Sequence, residues 1–210
     1  MALRIEDELV QIRPVFLYKG IDLNKWARVH PRFENHDGCI VDLGCLGWNK
    51  DPNIIDSDNW TDYFIDKKRI IGVDPQEDNK PNTELCRCFL SNFSGRANLI
   101  SSGPSAKIQE NPNGEFDVLT WLDFKTKYNI GPISILKINI EGSEWDLIES
   151  FTSEDLYDID QICVSFHDFL DELKHLHYRT SSCIIKLLEN NYHVIDLGIY
   201  GWKTFIKKTR

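Results

Sequence analysis

The stretch LKINIEGSEWDLI, Leu136 to Ile148, decides the reading of this chain. An apolar run carries Lys137, Asn139 and Glu141 at every second position, then breaks at Gly142 and turns helical. Period-two alternation predicts that the three polar side chains share one strand face. A strand that ends in a carboxylate, a glycine and a helix start fits the carboxyl edge of an open α/β sheet, where ligands bind. A second edge of this kind is expected upstream in CIVDLGCLGW, Cys39 to Trp48. Two such edges in a chain of 210 residues predict a cofactor and an acceptor meeting over one sheet.

Around these segments the periodicity alternates between strand and helix. Strands are predicted over 39–43, 69–74, 86–91, 97–101, 134–140, 161–167, 192–197 and 203–207, and helices around 54–66, 121–129, 143–150 and 178–190. Such alternation implies a mostly parallel sheet with helices on both faces. Gly198 and Gly201 between the last two strands predict an antiparallel hairpin at one edge. Residues 1–38 are mixed in character and read as an N-terminal extension that caps the site or packs on the sheet; residues 39–210 read as one domain. The Met1-Ala2 start is compatible with a module of a longer polypeptide.

The formal charge of −9 and pI of about 5.1 argue against a nucleic-acid partner, because that affinity rests on Lys and Arg neutralising phosphates. The basic tail Lys203, Lys207, Lys208 and Arg210 reads as a solvated strand edge. Six cysteines without a CxxC pair read as buried reduced thiols in a reducing compartment, although Cys86 and Cys88 would share a strand face and could support a metal. No secretory leader and no membrane span are read, so a cytoplasmic location is expected, the host cytoplasm if the chain is virus-encoded.

The turn after the first strand is D-x-G-x-x-G: Asp42, Gly44, Cys45, Leu46, Gly47 and Trp48. Glycines let the backbone approach a ligand, and Asp42 could hold an ammonium group. A dinucleotide site would prefer GxGxxG; the bulky residues here suit a cofactor without phosphates. The alternative is an ordinary glycine turn. Asp74, before Pro75, ends the second strand, where a carboxylate accepts two hydrogen bonds from a ribose diol; the alternative is a turn aspartate. Ser91 and Asn92 could bond an adenine edge or simply form a turn. On the Leu136 strand, Lys137 and Glu141 share a face that a parallel sheet buries, so a pair or a ligand is expected there. His167 and Asp168 are expected at the tip of the neighbouring strand, ICVSFHDF.

At these residues the chain resembles the FkbM-type S-adenosylmethionine-dependent methyltransferases. VDLGCLGW resembles their cofactor turn, IIGVDPQ their acidic second strand, and CFLSNFSGRANLISS their segment with a glycine hairpin. LTWLDF followed by ILKINIEGSEWDLIES is similar to the signature Leu-Lys-Ile-Asp-x-Glu-Gly-x-Glu, with Asn139 where the family has Asp. The resemblance spans most of residues 39–197. It implies a Rossmann-like class I methyltransferase fold and methyl transfer to a sugar hydroxyl of a glycan or glycoconjugate. Seven strands with a closing hairpin suit that architecture.

An activated methyl needs an aligned acceptor and a base for the hydroxyl proton. His167 is the first expected base and Glu141 the second, with Lys137 steadying a developing alkoxide or orienting Glu141. A divalent cation, Mg²⁺ or Mn²⁺, on Glu141, Asp168 and Asn139 is the minority expectation, weakened by the charge lost at Asn139. Trp48, Trp145 and Trp202 could offer flat faces to a sugar. The competing readings are a nicotinamide-dependent oxidoreductase, against which the missing GxGxxG speaks, and a methyltransferase-fold scaffold without activity.

Overall fold

A computed structural model describes residues 36–49, 60–101, 107–196 and 201–208, with four two-residue strands between residues 13 and 29. Those four pair as two antiparallel ladders, Arg13–Pro14 with Arg28–Val29 and Leu17–Tyr18 with Ile21–Asp22. The rest of the expected 1–38 cap up to His36, and the segment around Gly198, lie outside the described residues.

The centre is an α/β arrangement with a seven-stranded mixed sheet. Its first strands are β1 (Cys39–Leu43), β2 (Ile70–Val73) and β3 (Glu84–Cys86). A four-stranded second sheet follows, with β4 (Cys88–Leu90), β5 (Gly95–Ser101), β6 (Lys107–Glu110) and β7 (Phe116–Leu119). The chain then returns to the main sheet with β8 (Ile133–Ile138), β9 (Ile159–Ser165), β10 (Tyr192–Asp196) and β11 (Trp202–Lys207). The order across the main sheet is β10-β11-β9-β8-β1-β2-β3. All neighbours pair in parallel except β11, which runs antiparallel to both β9 and β10. The expected edge hairpin is therefore present.

Four α-helices are described: α1 (Trp121–Lys127), α2 (Glu144–Ser150), α3 (Ser153–Tyr157) and α4 (His177–Glu189). Thr120 caps α1 by accepting from the Asp123 amide, and Thr152 with Asp155 forms a reciprocal capping box on α3. Helix α4 ends at Asn190, followed by Asn191 with φ 71°, a left-handed stop that asparagine tolerates. Of the expected helix over 54–66, the described part holds a 3₁₀ turn at Trp60–Phe64, and the remainder is outside the described residues.

Both faces of the sheet are covered, so β1 and β8 are buried along their whole length. Alternation sorts their side chains between two apolar clusters. Cys39, Val41, Leu43, Leu136 and Ile138 join Trp145, Ile148, Cys183 and Leu187 in one. Ile40 and Ile135 join Trp48, Trp60 and Phe64 in the other. The shift at Ile133/Ile135 is a register irregularity against β1.

Several expectations are corrected. Strand 86–91 is two strands in two sheets, broken at Arg87, because the backbone leaves β2 to pair with β7. Cys86 and Cys88 consequently lie in different sheets, and burial pushes both thiols up to about 12. Strand β8 stops at Ile138, so Asn139 and Glu141 lie in the following loop and share no strand face with Lys137. Lys207 is buried, not solvated: it donates to the Leu156 carbonyl at 2.7 Å, neutralising the carboxyl end of α3. Strands β6 and β7 and helix α3 were not foreseen.

Candidate functional site

The chain runs outward from β1 through β2 to β3, then crosses back to place β8 on the other side of β1. The order reverses between β1 and β8, and a crevice opens at such a reversal beyond the carboxyl ends of the strands. Four segments leave those ends side by side: the Gly44 turn after β1, Asp74 after β2, the Asn139–Ser143 loop after β8, and Phe166–Asp168 after β9.

Gly44 has φ 75°, and a Cβ there would stand 1.8 Å from the Asn139 carbonyl oxygen. The close approach of the two loops at the reversal point thus requires glycine. Asn139 also donates its amide to the Leu43 carbonyl at 3.0 Å. Cys45 is buried and Leu46 is exposed at the tip of the turn. The Gly47 amide donates to Glu77 Oε2. Trp48 lies in the core, its ring over Gly72 and its Nε1 donating to the Asp78 carbonyl at 3.0 Å. Trp145 and Trp202 are buried as well. None of the three offers the flat face expected for a sugar, because each fills the space beside the sheet. The aromatic beside the loops is Phe169, 40% exposed, its ring centroid 5.6 Å from that of His167.

Asp42 and Lys137 face each other across β1 and β8, at 0% and 1% exposure. Lys137 Nζ is 2.9 Å from Asp42 Oδ1 and donates to the Gly44 carbonyl at 2.8 Å. Trp60 Nε1 donates to Asp42 Oδ2 at 2.9 Å. Asp42 is therefore engaged beneath the turn, and the partner of Lys137 is Asp42, not Glu141. The ion pair lies directly beneath the Gly44 turn.

Asp74 stands at the tip of β2 as expected, half-buried, with Oδ1 accepting from the Gln76 amide at 2.8 Å. Burial raises its carboxyl above the ordinary 3.8. The charge of Glu77 adds to the rise, and the Gln76 amide and Lys137 oppose it. Pro75 continues the turn. Ser91, buried, and Asn92, exposed, follow β4 of the second sheet, so they extend from a different sheet than Asp74 does.

On the other side of the crevice, His167 is 5% exposed and sits between two carboxylates. Its Nδ1 is 2.7 Å from Glu144 Oε1, and its Nε2 is 3.3 Å from Glu141 Oε2. Glu144, fully buried in the first turn of α2, also accepts from the Ile140 amide at 3.1 Å and the Gly142 amide at 2.9 Å. Glu141 has φ 53°, a left-handed backbone uncommon outside glycine, and its side chain is 32% exposed. Burial pulls the His167 pKa down, but the hydrogen bond and charge of Glu144, with the charges of Glu141 and Asp168, outweigh it and the net shift is upward. Burial and the charge of Glu144 raise Glu141, against the pull of His167 and Lys137. The sequence pointed to His167 and Glu141, gave no role to Glu144 although it is the last position of the resembled signature, and passed over Glu77 and Phe169. A carboxylate two residues after Gly142, in the first turn of the helix, was the available signal for Glu144.

The expected metal trio does not share one arrangement. Asp168 Oδ2 accepts from Thr180 Oγ1 at 2.6 Å and lies 2.7 Å from His177 Nδ1, while Thr180 in turn accepts from Trp145 Nε1 at 2.9 Å. This chain of bonds ties β9 to α2 and α4. Among the described residues no group of three or more His, Cys, Asp or Glu side chains is arranged to hold a metal ion. A cleft of about 530 Å³ lies at the opposite, amino end of β1 and β2, lined by His36, Lys68 and Arg69 among others. Arg69 is spent on Glu84, with two bonds of 2.7 Å.

Comparison with models of known families, with curated proteins and with solved structures finds no match for this chain. Among the described residues no helix is long and apolar enough to cross a membrane.

Proposed function

We propose that the chain is an S-adenosylmethionine-dependent O-methyltransferase acting on a sugar hydroxyl of a glycan or glycoconjugate. The observation that carries the reading is the pairing, across one strand-order reversal, of a glycine turn flanked by Asp74 and Glu77 with the Glu144–His167–Glu141 array. The order of the seven strands, with β11 alone antiparallel beside the edge, supports the methyltransferase variant of the α/β architecture.

The donor set suits this cofactor. Its sulfonium and ammonium groups are cationic and it carries no phosphate; Asp74, Glu77 and Glu141 lie in the loops that follow β2 and β8 at this edge, where carboxylates favour cations and repel pyrophosphate. The Gly47 amide, which a dinucleotide fold would aim at a phosphate, is already engaged by the Glu77 carboxylate. These features speak against a nicotinamide cofactor. Asp74 is assigned to the ribose hydroxyls, with the Gly44–Gly47 turn as the wall of the site. When bound, the cofactor supplies an activated methyl group.

The residues of the chain then have to orient the acceptor and take its proton. Glu141, more exposed than His167, meets the acceptor hydroxyl first, and His167 behind it shares the proton. Phe169 offers an apolar face to the sugar ring. No resident cation is assigned, because Asp168 is held by Thr180 and His177. Isothermal titration calorimetry tests the reading. S-adenosylmethionine and S-adenosylhomocysteine should bind and NAD(P) should not, and Asp74→Ala should weaken S-adenosylhomocysteine by about 1–3 kcal/mol for lost hydrogen bonds to a charged group. Binding of NAD(P) alone would overturn it.

A further inference from the structure

We propose that Glu144 is the positioning residue of the proton acceptor, one buried carboxylate that fixes both the loop carrying Glu141 and the ring of His167. The inference rests on the proposed methyl transfer for its purpose, but its geometry stands apart from any ligand. Glu144 is fully buried, yet three groups converge on its two oxygens. Oε1 takes the Ile140 amide and faces His167 Nδ1; Oε2 takes the Gly142 amide. The two amides flank Glu141, whose φ of 53° and the φ of 103° at Gly142 set two left-handed residues in succession. A backbone of that kind persists where surrounding contacts over-determine it. Here the over-determining contact is Glu144.

The same carboxylate decides which nitrogen of His167 carries the proton. An ionised carboxylate only accepts hydrogen bonds. Ionised Glu141 accepts only as well, so the two carboxylates compete for the single proton of the neutral ring; the fully buried Oε1 at 2.7 Å from Nδ1 outcompetes the part-exposed Glu141 at 3.3 Å from Nε2, which places the proton on Nδ1 and leaves the Nε2 lone pair toward Glu141. When the acceptor hydroxyl gives its proton to Glu141, Nε2 can receive it in turn. Glu141 is thereby restored as carboxylate, and the ring becomes an imidazolium whose added charge faces Glu144. The logic is that of a base oriented by a third group. Reversing the tautomer would leave Nε2 without a lone pair and the relay closed.

The test is long-range ¹H–¹⁵N correlation NMR on the ¹⁵N-labelled full chain, at a pH where the ring of His167 is neutral, with no ligand added. The expected result is a protonated Nδ1 and a bare Nε2. A proton on Nε2 in the native protein overturns the proposal, whether or not any variant folds. Glu144→Gln gives the second readout. Its amide nitrogen must stand against either the Gly142 amide or the Nδ1–H. The folded variant should therefore show either an inverted His167 tautomer or at least a tenfold loss of Gly142 amide exchange protection, with the amides of Leu136 and Ile138 unchanged. An unchanged tautomer together with unchanged Gly142 protection would reduce Glu144 to packing. Neither measurement uses the cofactor, so failure of S-adenosylmethionine binding, read by calorimetry, remains separable from failure of this proposal.

Discussion

Lys137→Met tests whether the charge pair beneath the Gly44 turn is structural. Met keeps most of the volume of Lys and removes its ammonium. Asp42, with no exposed surface, then keeps the bond from Trp60 Nε1 at 2.9 Å but loses the ammonium that faces it. Breaking a buried pair from one side costs about 3–5 kcal/mol. The carbonyl of Gly44 also loses a donor, within the same range. Adding Asp42→Asn removes the carboxylate charge and keeps an acceptor for Trp60, so the double variant should recover roughly half of the loss, with the remainder reflecting the Gly44 carbonyl at about 1–3 kcal/mol. Urea unfolding followed by tryptophan fluorescence gives all four corners of the cycle. Losses that add to within ~0.5 kcal/mol would refute the pair, because independent sites add to that tolerance. So would a Lys137→Met protein of parental stability.

The pH dependence of stability has a definite sign. His167, Glu141 and Asp74 all have folded pKa values above their ordinary 6.5, 4.5 and 3.8, so the folded state holds more protons than the unfolded chain. The His167 contribution is complete below pH 6.5 and is lost as pH rises through its folded value; unfolding free energies from pH 6 to 8.5, an interval of about the width over which imidazole titrates, should fall with pH, and His167→Gln should flatten that slope. Glu141→Gln and His167→Ala should each lower kcat by ~10²–10⁴-fold with an acceptor glycoside while sparing S-adenosylhomocysteine affinity; full activity of either would remove it from the relay. Turnover should persist in excess chelator, and its abolition with rescue by Mg²⁺ or Mn²⁺ would reinstate a cation. Gly44→Ala should fail to fold or melt far below the parent, since its Cβ would overlap the Asn139 carbonyl.

Local pattern determined the strands of the main sheet. The run Cys39–Leu43, apolar but for Asp42, matched the observed strand residue for residue, because a strand covered on both faces reads as a near-continuous hydrophobic segment. The acidic end of β2, the end of α4 near residue 190 and the final hairpin are local chemistry too, and they were legible. Helix α3 was legible in Thr152 and Asp155 but overlooked, and the turn Asn111-Pro112-Asn113-Gly114 marked the missed boundary between β6 and β7. What the sequence alone could not settle is which charges meet. Lys137 lies four residues from Glu141, so the near neighbour was the natural partner. Parallel pairing instead set Lys137 opposite Asp42, 95 residues away in the chain, and the end of β8 at Ile138 turned Glu141 toward His167. Register and strand order are tertiary quantities, because they are fixed by the packing of both sheet faces. They set the strand-order reversal, buried Trp48, Trp145 and Trp202, and brought Glu144 against His167.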